Sequence, residues 1–277
     1  MISQLEIISV GNELLIGKTV NTNATWLAKR ATSMGIFVKR ITVVSDEISE
    51  ISKIINETLR RKTRFIITTG GLGPTFDDKT LEGIANALNG KLEVNRKALQ
   101  MVREKYRAYA RTGKIEKAEL TAPRLKMATL PKGSEPIRNP LGTAPGVIVN
   151  VEDSVLIALP GVPPEMEAIF DESIAPLLKK ETGQVTFFET SVYADNIMES
   201  SLAPLIDKTM QDNPFIYIKS HPRSEERKPH LEIHFSTTAK SSKTAKSNIH
   251  RAVSLLSELI KENSGKVRLK KEEDQPS

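Results

Sequence analysis

The 277-residue sequence predicts an α/β protein, a mostly parallel sheet flanked by helices, followed by a small α+β domain. Three observations lead there. Short β-branched runs alternate with helical apolar stripes through the first part of the chain. A glycine-rich loop directly follows one of those runs. Near Gly183 the alternation gives way to a β-α-β-β-α order. Strand and helix in strict alternation with short connections indicate a parallel sheet covered on both faces. The expected division is residues 1–183, 184–265, and a charged, disordered tail over 266–277.

Leu5–Val10 is an apolar run ending at Gly11, as a buried parallel strand should be. Asn21 to Met34 reads as a helix, with Asn21, Thr22 or Asn23 to cap its start and Gly35 to close its end. Ile36–Val44 is strand-like. Ile48, Ile51, Ile54, Ile55 and Leu59 recur at helical spacing. Arg64–Thr69 is a further strand, and Leu81, Ile84, Ala85 and Leu88 stripe the next helix. A basic stretch over Arg96–Ala122 reads as largely helical, and the prolines and glycines from Pro131 to Gly146 mark loops. Val147–Val151 and Val155–Leu159 are strands, and a helix surrounds Met166–Phe170. In the second part, Val185–Ala194, Phe215–Lys219 and Leu231–Thr237 are strands. Ile197–Met210 and a stretch bearing Ile249, Val253, Leu256 and Ile260 are helices.

Composition excludes several classes of function. Cysteine is absent, which removes disulfide frameworks, thiolate metal sites and thiol nucleophiles. No apolar run approaches the roughly 18–20 residues of a membrane span, so no membrane partner and a cytoplasmic location are expected. The net charge of +6 favours an anionic partner. Between Arg96 and Lys132 eleven Lys or Arg face three Glu, more than the surplus of the whole chain. With Tyr106 and Tyr109 as its aromatics, that segment offers no stacking platform for single strands.

GGLGPTFDD, Gly70 to Asp78, carries the chemistry. In an open α/β sheet, ligands settle beyond the carboxyl ends of the strands, and glycines let backbone N–H groups close on a phosphate. Capping explains one aspartate at the following helix, but not both Asp77 and Asp78. Two carboxylates beside a phosphate call for a divalent cation, Mg²⁺ first, with Mn²⁺ or Co²⁺ as alternatives. GNELLIGKT is not a P-loop, because five residues separate its first glycine from Gly-Lys where that motif has four. It leaves Asn12 and Glu13, with Asn21 and Asn23, as polar groups able to bond a sugar or base. NPLGTAPG, with Asn139, Gly142 and Thr143, and LPGVPPEM, with Gly161 and Glu165, are further loops expected at the same crevice. Asp46 closes the second strand at that end. His230 and His234 share a strand face without a third ligand.

GNELLIGKTVNTNATWLA, TTGGLGPTFDDKTLEGIA, NPLGTAPGV and LPGVPPEM, in this order, resemble the CinA family, whose amino-terminal domain is related to the MoaB/MogA molybdopterin-binding fold. The resemblance implies a molybdopterin-binding-like sheet between helices and a homo-oligomer, dimer or trimer. It implies catalytic roles for Asp46 and Asp78, and ADP-ribose pyrophosphatase activity aided by a divalent metal. The carboxyl-terminal nicotinamide-nucleotide amidase domain of many CinA proteins is not expected here. The leading expectation is hydrolysis of ADP-ribose or a related nucleoside diphosphate sugar to AMP and a sugar phosphate. Asp78 with Asp77 would hold the metal, and Gly70, Gly71, Gly73 and Thr75 the pyrophosphate. Asn12, Glu13, Asn21 and Asn23 would hold ribose or base, and Asn139, Gly142, Thr143, Gly161 and Glu165 the far wall. The alternatives are molybdopterin binding or adenylylation in the same pocket, and a non-enzymatic nucleotide- or nucleic-acid-binding protein using the basic arm.

Overall fold

The computed structural model describes residues 4–183, 185–223 and 230–269. Two compact units divide the chain. One takes the residues up to 182 apart from 33–35; the other takes 33–35 and the residues from 183 onward.

In the first unit the elements run β1 (Gln4–Val10), α1 (Asn12–Leu15), α2 (Thr22–Ser33), β2 (Phe37–Val44), α3 (Ile48–Arg60), β3 (Phe65–Thr69), α4 (Thr80–Ala87), β4 (Leu92–Val94) and α5 (Arg96–Arg111). They continue as α6 (Ala122–Lys126), β5 (Thr129–Pro131), β6 (Glu135–Ile137), β7 (Gly146–Val151), β8 (Ser154–Leu159), α7 (Pro163–Ile169), a π-helical turn (Phe170–Ile174) and α8 (Ala175–Thr182). Six strands form one sheet in the order β2-β1-β3-β8-β7-β6. The first four are parallel, and β7 and then the edge strand β6 are added in antiparallel pairing. The sheet is therefore mostly parallel, as the alternation predicts.

Both faces are covered. Ile8, Val10, Ile66, Leu156 and Ala158 pack into one cluster with Ile51, Ile54 and Ile55 of α3, Leu81 and Ile84 of α4, and Ala98 and Val102 of α5. The alternate positions Leu5, Ile7, Phe65, Ile67, Ile157 and Leu159 are fully buried as well, which is why these strands read as unbroken apolar runs. Each such side chain contributes about 1.5–3 kcal/mol through its burial. Trp26 of α2 meets Phe170 edge to face, with ring centres 5.3 Å apart.

Local chemistry sets the helix ends. The Asn21 side chain accepts the Ala24 N–H at 3.1 Å and so caps α2, and Asn95 does the same for α5 through Lys97 and Ala98. The basic stretch is not one helix to Ala122. It stops at Arg111, where the Thr112 hydroxyl turns back onto the Ala108 and Tyr109 carbonyls. The loop-rich stretch after it also holds β5 and β6; β5 pairs with β4, two three-residue strands too short to announce themselves in sequence.

The second unit runs β9 (Thr186–Asp195), α9 (Glu199–Asp212), β10 (Ile216–Pro222), β11 (His230–Ala239), α10 (Ser242–Glu262) and β12 (Lys266–Leu269). Its sheet, in the order β10-β11-β9-β12, is antiparallel throughout. This is the split β-α-β arrangement of ferredoxin-like units. Val192, Ala194, Ile218, Ile233 and Phe235 bury one sheet face beneath Leu202, Ile206, Ile249, Leu256 and Ile260 of the helices. The expected tail from Lys266 is corrected here. Lys266–Leu269 pairs with the end of β9, because Val267 reaches the core cluster while Arg268 bonds Asp195 on the opposite face. Residues 270–277 lie outside the described residues. On that opposite face His230 bonds Asp195 and stacks on Tyr193, and His234 approaches Glu189 at 3.4 Å. No helix among the described residues is long and apolar enough to cross a membrane.

One buried charge anchors the end of the first sheet remote from the strand carboxyl termini. Glu6, 1% exposed in β1, accepts two hydrogen bonds from Arg61, at 2.9 and 2.6 Å, and one from the Thr63 hydroxyl at 2.7 Å. Burial by itself would push its carboxyl up, but the bonds from Arg61 and Thr63 more than reverse this and hold it below the usual range. Stability from this pair is complete above the ordinary glutamate range and is lost as the pH falls through the lowered folded value. Arg61→Ala leaves the carboxylate buried without its fork and should cost about 3 kcal/mol in urea unfolding at neutral pH. Glu6→Gln should flatten the acid limb of the stability profile. A loss below about 0.5 kcal/mol in the first variant, or an unchanged acid limb in the second, contradicts this account.

Candidate functional site

The loops after the carboxyl ends of β1, β2, β3 and β8 converge on a cleft of about 460 Å³. Its floor is Gly70. Here φ is +99°, a conformation open to glycine, and a Cβ would lie 2.3 Å from the Val10 carbonyl oxygen. Gly71 follows with φ +66°, and a Cβ there would lie 2.3 Å from the Thr80 hydroxyl oxygen. That hydroxyl donates to the Gly70 carbonyl at 2.7 Å, and the Thr80 N–H to the Gly71 carbonyl at 3.1 Å, tying α4 to the loop.

The Gly70 N–H is not free for a phosphate, contrary to expectation: it donates to the Leu159 carbonyl at 3.0 Å, continuing the β3–β8 ladder. The N–H groups of Gly71, Leu72 and Gly73 have no protein acceptor among the described residues. They are the donors that a phosphate could use.

Thr75 clasps the acidic pair. Its N–H donates to Asp78 Oδ2 at 2.8 Å, while its hydroxyl lies within reach of both Asp77 Oδ1, at 2.5 Å, and Asp78 Oδ2. One hydroxyl proton serves one carboxylate at a time, so two negative charges gather at a single donor. The Thr75 hydroxyl, helped by a backbone N–H and by nearby Lys126 and Lys79, holds the Asp77 carboxyl below the usual range. Lys126 of α6 donates to the Thr75 carbonyl and fixes the loop from outside the cleft. Sequence reasoning missed that role, because Lys126 is one of eleven Lys or Arg between Arg96 and Lys132 and nothing nearby singles it out.

On the other side of β1, Asp46 Oδ2 accepts the Asn12 N–H at 2.8 Å, which seats α1 against the end of β2. Across the glycine loop, Asn23 donates to the Gly161 carbonyl at 2.8 Å, while its Oδ1 is buried without a partner among the described residues. Asn21 is spent on Ser9 and on its cap.

Of the residues read from sequence, Asp46, Asp77, Asp78, Glu13, Asn21, Asn23, Gly70, Gly71, Gly73, Thr143, Gly161 and Glu165 line this one cleft. Asn12, Thr75, Asn139 and Gly142 do not line it. Each stands behind a lining group: Asn12 behind Asp46, Thr75 behind the acidic pair, and Asn139 and Gly142 behind Glu165.

The charge of the cleft is one-sided. Five carboxylates line it (Glu13, Asp46, Asp77, Asp78 and Glu165), and no Lys, Arg or His does. Three cations of the basic arm are engaged elsewhere. Arg124 stacks on Tyr106 at 3.9 Å, Lys114 lies over Tyr109 at 5.2 Å, and Lys105 bonds the Pro140 carbonyl at 2.7 Å. Burial, with Arg138 nearby, lowers the Lys105 ammonium. Among the described residues no three His, Asp or Glu side chains gather to hold a metal ion by themselves. The all-oxygen donor set nonetheless suits Mg²⁺, which is commonly held by one or two carboxylates plus phosphates of the ligand.

If Thr75 is what lowers Asp77, then Thr75→Val should move the Asp77 carboxyl titration upward, toward its ordinary value, when followed by NMR. An unchanged titration contradicts the clasp.

A family model described as a probable molybdopterin binding domain matches residues 6–180. A protein of Sulfurisphaera tokodaii is 44% identical over 255 residues, 92% of this chain and 94% of its own. One from Pyrobaculum arsenaticum is 45% identical over 262 residues, 94% of this chain and 95% of its own. Among solved structures, the protein CinA of unknown function from Thermoplasma acidophilum is 41% identical with a TM-score of 0.58, covering 64% of this chain and 98% of that one.

Proposed function

The chain belongs to the family of probable molybdopterin binding domains, and from that premise we propose that its cleft binds a phosphorylated heterocycle of the molybdopterin kind together with a divalent cation. The observation that carries this reading is the lining of five carboxylates without a cationic side chain. A phosphate brought alone to the N–H groups of Gly71, Leu72 and Gly73 would meet Asp77 and Asp78, and the cations near them, Lys126 and Lys79, are not part of the cleft lining. At an effective dielectric of about 20, two unit charges 4 Å apart interact by roughly 4 kcal/mol, enough to cancel several neutral hydrogen bonds. A cation carried in with the phosphate reverses the sign.

Asp78, with Asp77, would hold Mg²⁺, with Mn²⁺ or Co²⁺ as alternatives. When bound, the ion would neutralise the phosphate and stabilise charge on a transferring phosphoryl group. Thr75 keeps the two carboxylates at one place, and Lys126 keeps the loop that bears them.

One observation favours a second reading, hydrolysis of a phosphoanhydride such as that of ADP-ribose. Asp46 Oδ1 has no protein donor among the described residues while Oδ2 is pinned by Asn12. A carboxylate so held can orient a water and take its proton as the water oxygen bonds to phosphorus and the bridging P–O bond breaks. The products are AMP and a sugar phosphate. Such a reaction depends on positioning and electrostatics, and needs neither cysteine nor histidine.

Neopterin triphosphate, which is fluorescent, is the direct probe. It should bind the full chain at least tenfold more tightly in Mg²⁺ than in EDTA, and Asp78→Asn should remove that difference. Equal binding in both media overturns the proposal. Incubation with ADP-ribose and Mg²⁺, Mn²⁺ or Co²⁺ tests the second reading. AMP that disappears in Asp46→Ala supports it, and no AMP with any of the metals rejects it.

A further inference from the structure

Glu165 is a cleft carboxylate that the metal reading leaves unused. It lies in the first turn of α7, after β8, whereas Asp46 follows β2. In the sheet order β2-β1-β3-β8 the glycine loop after β3 stands between them. With neighbouring strands about 4.8 Å apart, the ends of β2 and β8 are separated by roughly 14 Å. A ligand whose phosphate sits at the glycine loop can therefore extend to Glu165 without approaching Asp46.

The carboxylate is held in a built setting. Its Oε2 accepts from the Asn139 side chain at 2.7 Å. Asn139 is itself buried and locked: its Oδ1 takes the N–H groups of Leu141 and Gly142, at 3.1 and 2.7 Å, and its amide also donates to the Ala144 carbonyl at 2.9 Å. Gly142 leaves the space that the carboxylate fills, since a Cβ there would lie 1.8 Å from Glu165 Oε2. No cation stands within salt-bridge distance of Glu165 among the described residues; Lys105 is near enough for the two charges to interact, but it gives its hydrogen bond to the Pro140 carbonyl. Its Oε1 has no protein donor among the described residues.

A second group on the same flank is in the same condition. Asn23, 9% exposed and lining the cleft, keeps its amide nitrogen on the Gly161 carbonyl and leaves Oδ1 buried without a partner among the described residues. The glycine loop presents donors; this flank presents unsatisfied acceptors. Glu165 is half-buried and Asn23 Oδ1 buried, and an acceptor kept from water is costly unless a ligand brings N–H groups to it.

We infer that Glu165 is a specificity-determining residue that selects a heterocycle bearing a ring N–H beside an exocyclic amino group, the donor pair shared by pterin and guanine rings. A carboxylate accepts two parallel N–H donors well. Adenine presents one amino group beside a ring nitrogen that is itself an acceptor, so its edge would set lone pair against lone pair. This inference rests on the phosphorylated-heterocycle reading and adds the ring that such a ligand carries.

Displacement of bound neopterin triphosphate from the full chain in Mg²⁺ by GDP, IDP and ADP tests it. IDP differs from GDP in lacking the 2-amino group alone. GDP should compete about tenfold or more better than IDP, and better than ADP, because the analogue leaves a carboxylate lone pair covered by the ligand and unpaired. Glu165→Gln should level GDP and IDP while the Mg²⁺ dependence persists; a group that merely braces the Asn139 loop would not change that ratio. Equal competition by GDP and IDP in the wild-type chain overturns the inference, and needs no variant to fold. A GDP preference that survives in Glu165→Gln overturns it as well. Should neopterin triphosphate itself fail to bind in Mg²⁺, the parent reading falls and this one with it.

Discussion

At Gly70 three strand ends meet with no room for a side chain. β3 delivers the residue, the Val10 carbonyl of β1 closes on one side, and Gly161 after β8 on another, where a Cβ would lie 3.2 Å from the Gly70 Cα. The N–H that would otherwise face a ligand is spent on Leu159, so the ladder runs to its last possible bond before the backbone turns away. Everything in the cleft hangs from this junction. Asp46 and Asn12 are brought in by the ends of β2 and β1, the acidic pair by the loop leaving Gly70, and Glu165 by the turn after β8. A side chain at Gly70 would push β1 from β3 and separate the groups that the sheet brings together.

The electrostatics follow from that convergence. Parallel strands share a direction, so the loops after each of them arrive at one edge, and whatever charge they carry is summed there. In this chain each arriving loop carries a carboxylate, and the cations of a basic protein are held outside, on tyrosine faces and loop carbonyls. Thr75, Asn12 and Asn139 each hold one oxygen of a cleft carboxylate and leave other lone pairs for something the protein does not supply. The cleft is therefore organised around carboxylates with no cation in its own lining, and around acceptors without N–H donors at the β8 flank.

Much of this was legible in the sequence, for local reasons. The run RFIITT followed by glycines marks a strand and its loop within ten residues, and Asp46 stands where an apolar run stops. What escaped depends on contacts distant in the chain. The bond from Gly70 to Leu159 joins residues on different strands, and nothing near Gly70 signals it. Asn139 and Glu165 each read as a loop residue, and their pairing emerges when β7 and β8 fold back as a hairpin. Lys266–Leu269 reads as a solvated string because the alternation of two cations with Val267 and Leu269 is too short to stand out. It becomes a strand because β9, some seventy residues earlier, offers it an edge.

The central claim is that the carboxylates of the glycine loop and a phosphorylated ligand need the same cation. Binding linkage makes this reciprocal: if the metal tightens the ligand, the ligand must tighten the metal by the same factor. Mn²⁺ binding to the full chain, followed by its electron paramagnetic resonance signal with and without neopterin triphosphate, measures this directly once Mn²⁺ binding to free neopterin triphosphate is subtracted. The account predicts weak Mn²⁺ binding alone, at least tenfold tighter binding with the ligand, and loss of that gain in a chain carrying both Asp77→Asn and Asp78→Asn. Mn²⁺ affinity that is indifferent to the ligand, or a gain that survives loss of both aspartates, would contradict it.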